Sequence, residues 1–480
     1  MFNTALTSSP TGAENSKSFL DEIDLQTAPT FVEESTHESF EETESKNVMV
    51  GVFIDGTWNN RNNTEARLEY EKADDDPSKN FELAARYIND DVASFENYYS
   101  NIARMEPYYE NLNTDKLITF KLYIEGIGTE DFEEDSTLGG GFGTGSTGIR
   151  AKVEKACEQI VNIIKKKGVE NINTLTIDVF GFSRGAAAAR NLVHEVSKPF
   201  QAEKVMYTHN RTGSARKTTI PEKPRHGHLG KELKNSGIPL RMLIVRFVGI
   251  YDTVSSHGAG VVFSYDNDTE ALGLDAIRKA QFTLHLTAAD EHRKNFSLTN
   301  IRSALQSGRG KEFSLPGVHG DLGGSYNNGE VEKRRFAYYE RDFAIDQGWY
   351  SPEQLEVVRW DRNGMTPSVI EGTRTLPNTY THIPLSVMAS FTAQKHLPLK
   401  AEQLKSAYAI PPALTPLKNR IDEYVLNNGE PLDFENDEDK LLLKPIRHDF
   451  LHFSARFGSL TMGPRRKFWS RERYRKIIPG

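Results

Sequence analysis

A turn of the type that carries a serine nucleophile constrains this chain most. The apolar run NTLTIDVF at 173–180 predicts a buried strand, and Gly181, Ser183 and Gly185 spell GxSxG directly after it. The alanine-rich stretch that follows predicts a helix. Small residues beside the serine permit a tight turn that exposes the hydroxyl above the sheet, facing a helix N-terminus. The sequence therefore predicts Ser183 as a nucleophile, with a purely structural strand-to-helix turn as the alternative.

Other apolar runs alternate with helical patterns along the chain. They predict strands at 47–55, 117–125, 174–180, 241–249 and 311–315. Near-continuous apolar strands separated by helices are typical of a parallel sheet that is covered on both faces. We therefore expect an α/β class fold, an α/β-hydrolase-like and mostly parallel sheet with helices on both faces, plus insertions and a helical C-terminal cap or lobe.

The composition changes along the chain and predicts its division. The catalytic core is expected at 47–328, with a polar insertion at 201–236, and a helix-rich cap or C-terminal region at 329–480. Helical patterns in that last region include 337–347 and 352–358. The single cysteine, Cys157, lies in a helical pattern and is expected to be a buried structural thiol.

The two ends of the chain are charged in opposite senses. Residues 1–46 hold ten acidic and two basic side chains, which equals the whole net charge of −8 and leaves the body neutral. This leader is predicted to be disordered, with a short partner-binding helix around Phe19, Leu20, Ile23 and Leu25 as the alternative. The basic-aromatic tail at 463–480 suits an anionic lipid surface, or else packs partly on the domain as a solvated segment.

Membrane and export signals are not apparent in the sequence. No run of about 18 apolar residues exists to span a bilayer, and the start MFNTALTSSP lacks a basic stretch and an apolar core. We expect synthesis in the cytoplasm without a signal peptide, and no nucleic-acid partner.

A serine nucleophile needs a base and a carboxylate that orients the base, and in α/β-hydrolases both follow the serine in the order acid, then histidine. Asp252 lies just after the strand at 241–249, and His319 lies between turn residues after the strand at 311–315. These two residues are the predicted acid and base. A turn-capping role for Asp252 and a buried structural role for His319 are the alternatives.

Second choices are available for each role. His257 competes as the base, and Asp321 competes as the acid, although it is better placed to shape its own loop or to bind substrate or metal. The oxyanion hole is expected to use the backbone N–H of Arg184 and a second N–H from Gly56 or Thr57. Asp55 lies in the same loop as Gly56 and Thr57, and its alternative role is to cap the turn.

Six segments in order resemble a known family. They are VFIDGTWNN, the region from GIGT to GGGFGTGSTG, VFGFSRGAAAAR, FVGIYDTVSS, HLTAADEHRKNF and LPGVHGDLGGSY, and IRHDFLHFSARFG is a weaker echo. Together, over roughly 48–326, they are similar to the uncharacterised α/β-hydrolase family that includes type VI secretion lipase effectors of the first subgroup. The resemblance implies an antibacterial phospholipase A with Ser183, Asp252 and His319 at the triad positions. It also implies delivery by a secretion spike or adaptor into the target-cell periplasm or membrane, and a cognate immunity protein.

Two further motifs suggest other chemistry. GTGSTG at Gly143, Gly145 and Gly148 matches a dinucleotide-binding pattern, but no strand precedes it. His448 and His452 in HDFLH have the spacing of metal ligands on a helix, but no third ligand is identifiable. We expect no cofactor, with Ca²⁺ at Asp55 and Asp321 as a minor alternative.

The serine motif, together with what the family resemblance implies, predicts hydrolysis of a fatty-acyl ester of a membrane phospholipid through an acyl-enzyme. An apolar groove for the acyl chain is expected beside the insertion at 201–236 or the lobe after Gly329. Basic side chains of the insertion that would favour phosphate head groups are Lys204, Arg211, Arg216, Lys217, Lys223 and Arg225. The alternatives are a soluble carboxylesterase or acyltransferase, and a nonenzymatic spike-docking protein that keeps the fold.

Overall fold

The fold is described from a computed structural model of the chain. It covers residues 45–72, 92–136, 143–209, 215–255, 269–360, 363, 366–434, 436–459, 462–467 and 472–480. The leader helix around Phe19, the second-choice base His257 and the tail aromatics Phe468 and Trp469 lie outside these residues.

A seven-stranded sheet organises the molecule. Its strand order is β10-β8-β7-β4-β1-β3-β2, and every neighbouring pair is parallel except β2 with β3. The strands are β1 (Lys46–Ile54), β2 (Leu112–Asn113), β3 (Leu117–Ile124), β4 (Ile172–Phe182), β5 (Lys204–His209), β6 (Ala215–Ile220), β7 (Leu240–Tyr251), β8 (Phe282–Ala288), β9 (Leu298–Thr299), β10 (Gly310–Leu315), β11 (Glu330–Ala337), β12 (Leu355–Trp360), β13 (Pro367–Leu376) and β14 (Ile477–Ile478).

Helices cover both faces of this sheet, so the predicted α/β-hydrolase-like class is confirmed. The helices are α1 (Arg61–Lys72), α2 (Ala93–Glu96), α3 (Asn101–Met105), α4 (Ile149–Lys166), α5 (Arg184–Val196), α6 (Gly227–Asn235), α7 (Thr269–Leu272), α8 (Arg302–Gln306), α9 (His319–Gly323), α10 (Arg341–Asp346), α11 (His382–Gln394), α12 (Ala401–Ala407), α13 (Thr415–Leu426) and α14 (Asp437–Asp449). Short 3-10 helices lie at Glu106–Tyr108, Leu274–Lys279, Tyr338–Glu340, Pro352–Gln354, Thr379–Thr381 and Pro412–Leu414.

Two apolar cores lie on opposite faces of the sheet. Side chains alternate along a strand, so Val50 and Val52 of β1 join one core, while Phe53 joins the other. The first core packs against α4 and α5 and includes Cys157, whose thiol pKa is raised by burial. The second core is rich in aromatic residues and takes in the C-terminal helices α11, α13 and α14.

An ion pair is buried inside the sheet beside the second core. Arg246 of β7 donates from Nε to Oδ1 of Asp178 at 2.9 Å and from a terminal nitrogen to Oδ2 at 2.5 Å. The hydroxyl of Tyr109 donates to Oδ2 at 2.8 Å. Because the Asp178 side chain is 0% exposed, its charge depends on these partners.

The region after Gly329 differs from the helical expectation. Segment 337–347 holds the end of β11, a 3-10 helix and α10, and 352–358 holds a 3-10 helix and most of β12. Strands β11, β13 and β12 form a separate antiparallel sheet. The sequence did not predict β11 because the strand is rich in charged residues. Its inward-facing Glu332 is nevertheless buried, since Arg374 donates from Nε to its Oε1 at 2.8 Å. The prediction of helices at both segments was therefore wrong in part.

The insertion at 201–236 forms a two-stranded hairpin, β5 with β6, followed by α6. It follows the C-terminal end of α5, which begins at the nucleophile turn and runs about 20 Å away from it. The insertion then leads into the start of β7, so it lies toward the amino ends of the strands. None of the helices that the structure describes is long and apolar enough to cross a bilayer.

Candidate active site

Ser183 lies in a strained turn between β4 and α5. Its backbone has φ 59° and ψ −125°, in the left-handed region of φ that non-glycine residues seldom occupy. The Ser183 N–H donates to the carbonyl of Tyr251 at 3.1 Å, and the Ser183 carbonyl accepts from Ala186 N–H at 3.1 Å. Such local strain persists where the surrounding structure enforces it, and it is concentrated at functional sites.

The glycines of GFSRG permit close backbone contacts around this turn. A Cβ on Gly181 would lie 2.5 Å from the carbonyl oxygen of Gly185. A Cβ on Gly185 would lie 2.2 Å from the carbonyl oxygen of Asp55, at the end of β1. The motif therefore has glycine where the helix and two strands approach each other.

Asp252 and His319 meet although 67 residues separate them. Asp252 follows β7, and His319 begins α9 after β10; Nδ1 of His319 lies 2.5 Å from Oδ2 of Asp252. The second carboxylate oxygen accepts from Ala288 N–H at 2.9 Å. Ring centroids of Phe182 and Phe296 lie 4.6 and 4.8 Å from that of His319 and restrict its orientation.

The charges around this pair favour a neutral imidazole and an ionised carboxylate. Burial raises the pKa of Asp252, but Arg475 and His319 outweigh that effect and hold the pKa well below its usual value. Burial lowers the pKa of His319 below 6.5, and the attraction of Asp252 only partly offsets it. Histidine in this state can accept a proton at neutral pH.

Arg475 is a site residue that the sequence reasoning missed, because it was assigned to the basic tail. Its side chain is 8% exposed, and its terminal nitrogens donate to Oδ1 and Oδ2 of Asp252 at 2.6 and 2.8 Å. A signal was present in RERYRKII, where arginine recurs at every second position, the period at which one face of a strand repeats.

The oxyanion candidates differ in what they already bind. The Gly56 N–H donates to Oδ1 of Asp55 at 2.7 Å, so it is committed to the turn, and Thr57 is the better second donor. Both Thr57 and Arg184 line the same cavity as Ser183, and Arg184 Nε donates to the Thr57 hydroxyl at 2.8 Å.

Asp55 lies buried beneath the same turn. It also accepts from the Tyr123 hydroxyl at 2.7 Å, and burial raises its pKa to about 6, despite the hydrogen bonds that lower it. Its contacts are those of a turn cap.

Asp321, the second-choice acid, faces away from His319. It accepts from Val318 N–H at 3.0 Å and lies 2.7 Å from Nδ1 of His452, whose ring stacks on Tyr326 at 3.6 Å. His448 instead lies 3.0 Å from Oε1 of Gln354, so the two histidines of HDFLH diverge. Among the residues described, no group of three or more His, Cys, Asp or Glu side chains is placed to hold a metal ion.

The GTGSTG motif leads directly into α4, with Gly148 as its N-cap. The described residues before it, 125–136, form turns rather than a strand. The strand that a dinucleotide fingerprint follows is thus not found within those residues.

A cavity of about 470 Å³ contains the serine and histidine. Its lining is Thr57, Trp58, Asn59, Asn97, Phe182, Ser183, Arg184, Val254, Arg293, Asn295, Phe296, His319, Gly320, Ser325, Tyr326 and Met462. Within the described chain, no residue of the insertion at 201–236 lines this cavity, whereas Met462 from the region after Gly329 does, so of the two expected flanks the lining agrees with the second. The insertion and the cavity lie at opposite ends of helix α5.

The described part of the tail packs on the protein. Arg473 and Arg466 both pair with Glu340 at 2.6 Å, and Arg475 pairs with Asp252 at 2.6 Å. These contacts agree with the packed alternative for the tail, while residues 468–471 lie outside the described ranges.

The part of the chain that carries this site matches a known protein family over most of its length. The catalytic domain of the family described as type VI secretion, phospholipase effector Tle1-like, matches residues 48–341. The chain belongs to this Tle1-like family. A Tle1-like catalytic domain is a lipase-class hydrolase, and the effectors of this family are secreted and delivered to target cells.

A solved structure shows the same fold. The Tle1 effector bound to the VgrG spike of the type VI secretion system is 19% identical, with a TM-score of 0.52, covering 94% of this chain and 99% of that one. An uncharacterised Pseudomonas aeruginosa protein is 14% identical, with a TM-score of 0.37, covering 81% of this chain and 52% of that one. No curated protein matches the Tle1-like chain.

Proposed function

We propose that this Tle1-like effector is a phospholipase A, of A1 or A2 type, that cuts fatty-acyl ester bonds of membrane phospholipids with Ser183, His319 and Asp252. One observation carries the proposal: the His319 imidazole bonds a buried carboxylate at 2.5 Å and shares a cavity with a serine held in a strained turn. This combination is typical of a serine hydrolase.

The reaction has two halves. His319 takes the Ser183 proton while the serine oxygen attacks the acyl carbonyl; the N–H groups of Arg184 and Thr57 bind the oxyanion, and Asp252 stabilises the charged imidazole. The ester C–O bond then breaks, and the lysophospholipid oxygen takes the proton from His319. Water, deprotonated by His319, next attacks the acyl-enzyme; the bond between the acyl carbon and the Ser183 oxygen breaks, the serine oxygen takes the proton from His319, and the fatty acid leaves.

The cavity supports an amphipathic ester as the substrate. Phe182, Val254, Phe296 and Met462 supply apolar walls near the serine, whereas Asn97, Asn295 and Ser325 supply polar ones. A fatty-acyl chain and a polar glycerophosphate need both kinds of wall.

Vesicles of a phospholipid that carries a different acyl chain at each glycerol position test this activity. We expect wild type to release one of the two fatty acids and Ser183→Ala to release neither, as measured by mass spectrometry. Ser307→Ala, in an exposed loop outside the cavity, is the matched control. Equal release by Ser183→Ala and wild type would contradict the triad. Cleavage of short soluble esters without cleavage of the phospholipid would identify a carboxylesterase. Transfer of the acyl group to an added alcohol would identify an acyltransferase.

We also infer that the chain is made in the bacterial cytoplasm, binds a secretion spike or its adaptor, acts in the target-cell periplasm or membrane, and is neutralised by a cognate immunity protein in the producer. The support is family membership and the relative whose structure contains the VgrG spike. Co-purification of Ser183→Ala with a VgrG spike protein of the same bacterium tests spike binding. Binding without hydrolysis by wild type would favour a spike-docking protein that only keeps the fold.

A further inference from the structure

A strap formed by residues 472–480 runs along the edge of the candidate site. Its strand β14 pairs in parallel with β9. Leu298 N–H donates to the Lys476 carbonyl at 2.9 Å, and Asn300 N–H donates to the Ile478 carbonyl at 3.0 Å. Because β9 lies two residues after Phe296, which packs on His319, the strap is fixed next to the catalytic histidine.

The strap presents alternate side chains to the protein. Glu472, Tyr474 and Lys476 are exposed, whereas the side chains of Arg473 and Arg475 are 6% and 8% exposed. Arg473 pairs with Glu340, outside the site. Arg475 alone of these two reaches a triad residue.

The guanidinium of Arg475 is held in one plane by several acceptors. Two of its nitrogens bind the two carboxylate oxygens of Asp252, and Nε donates to the Phe296 carbonyl at 2.7 Å. A paired geometry of this kind fixes orientation as well as charge. Without Arg475, the fully buried carboxylate would keep the Ala288 N–H and His319 as partners but would lose its compensating cation.

We propose that Arg475 is a positioning residue for the hydrolysis, which orients the Asp252 carboxylate toward His319, so that the catalytic site is complete only when the strap is docked. This inference rests on the proposed function. It adds to the triad a residue that acts through Asp252 and touches neither the serine nor the substrate in the mechanism above.

Arg475 also balances the charge that His319 experiences. The charged groups that face the imidazole are Asp252, with Arg475 behind it, and the pair of Glu291 with Arg293, whose terminal nitrogen lies 2.7 Å from Oε2 of Glu291. Asp321, on the same helix, is engaged by His452. Removing Arg475 leaves the Asp252 charge without its compensating cation, so the net charge beside the imidazole becomes more negative, which favours protonation of the imidazole.

Variants of the full-length protein test this inference. We expect Arg475→Ala to lower kcat at least about tenfold with KM little changed, and to move the acidic limb of kcat/KM to higher pH by about one unit. Arg475→Lys should retain part of the activity, and added guanidinium should restore part of it to Arg475→Ala. Arg473→Ala removes a charge from the same strap and should leave the acidic limb of the kcat/KM profile at the same pH as in wild type.

A second readout does not depend on hydrolysis. NMR titration of isotope-labelled histidines should show a higher His319 pKa in Arg475→Ala than in wild type, with no shift in Arg473→Ala. An unchanged His319 pKa in folded Arg475→Ala, or an equal shift in both variants, would overturn the inference. If the histidine pKa shifts as expected while wild type cleaves no ester, the proposed function fails, and only the effect of Arg475 on the Asp252–His319 pair stands.

Discussion

Nδ1 of His319 lies 2.5 Å from Oδ2 of Asp252, and the carboxylate is fully buried. Because Nδ1 carries the proton in this contact, Nε2 is the nitrogen that can accept one. The pKa of His319 is lowered by burial, and that of Asp252 is lowered by its cationic neighbours. Both shifts favour the charge state that a general base and its orienting acid need near neutral pH.

The pH dependence of catalysis follows from these shifts. The base must be neutral, so activity is lost as the pH falls through the His319 pKa, which lies below the usual value of about 6.5. We expect kcat/KM on a short ester to have its acidic midpoint below about 6.5 and to stay level toward neutral pH. A midpoint above that value, or activity that rises on acidification, would contradict this assignment.

Gly185 is expected to tolerate no side chain. A methyl group there would meet the carbonyl oxygens of Asp55 and Ile54 at 2.2 and 2.4 Å, so α5 must shift together with Ser183. We expect Gly185→Ala to lower kcat/KM by about 100-fold, the typical result of misplacing a catalytic group by about 1 Å. Gly310→Ala is the control, because its methyl would meet mainly side chains of α8 and its neighbour, at 3.0 Å or more. Wild-type activity in Gly185→Ala would show that the turn is not constrained as described.

Asp55 should make stability fall as the pH rises. Its pKa is about 6 in the folded protein and 3.8 in the reference state, so between these values the folded state binds more protons than the unfolded state. We expect the free energy of unfolding of wild type, relative to Asp55→Asn, to decrease by about 2 kcal/mol from pH 4 to pH 6. Denaturant titrations at several pH values measure this free energy. Asp342→Asn is the control, because the side chain of Asp342 is 87% exposed. A relative stability that increases over this range would contradict the assignment.

The ion pair of Arg246 with Asp178 makes a separate prediction about folding. Arg246→Met leaves the buried carboxylate without its cation, and we expect it to lower the free energy of unfolding by about 3–5 kcal/mol. Adding Asp178→Asn should recover a clear part of that loss in urea titrations. Arg335→Met breaks an exposed pair with Glu371 and should cost less than about 1 kcal/mol. Equal losses from the buried and the exposed variants would contradict the account.

The sheet and the triad candidates were largely predictable, because local signals mark them. Apolar runs mark five of the strands, and the chain order of Ser183, Asp252 and His319 follows from strand ends. Strand β8 was not predicted, since Thr283 and His285 resemble an exposed face. Both are fully buried, and His285 has a partner for each ring nitrogen, in Glu312 at 2.8 Å and Thr253 at 3.1 Å.

Long-range partners explain what the sequence did not predict. Arg475 meets Asp252 across 223 residues, and Glu332 is buried in a strand only because Arg374 lies beside it. A charged residue that is neutralised by a distant partner cannot be told from a solvated one by local composition. The position of the insertion at 201–236 likewise depends on the direction of α5. That helix leads from Ser183 toward the amino ends of the sheet strands, where the insertion lies.

The central claim is that Ser183 becomes covalently acylated with His319 as its base. Labelling with a fluorophosphonate, a reagent that phosphonylates activated serines, measures this directly when peptides are mapped by mass spectrometry. The account predicts one adduct, on Ser183, formed rapidly in wild type, slowly in His319→Ala and not at all in Ser183→Ala. An adduct on another residue, or labelling of Ser183 at the same rate without His319, would contradict it.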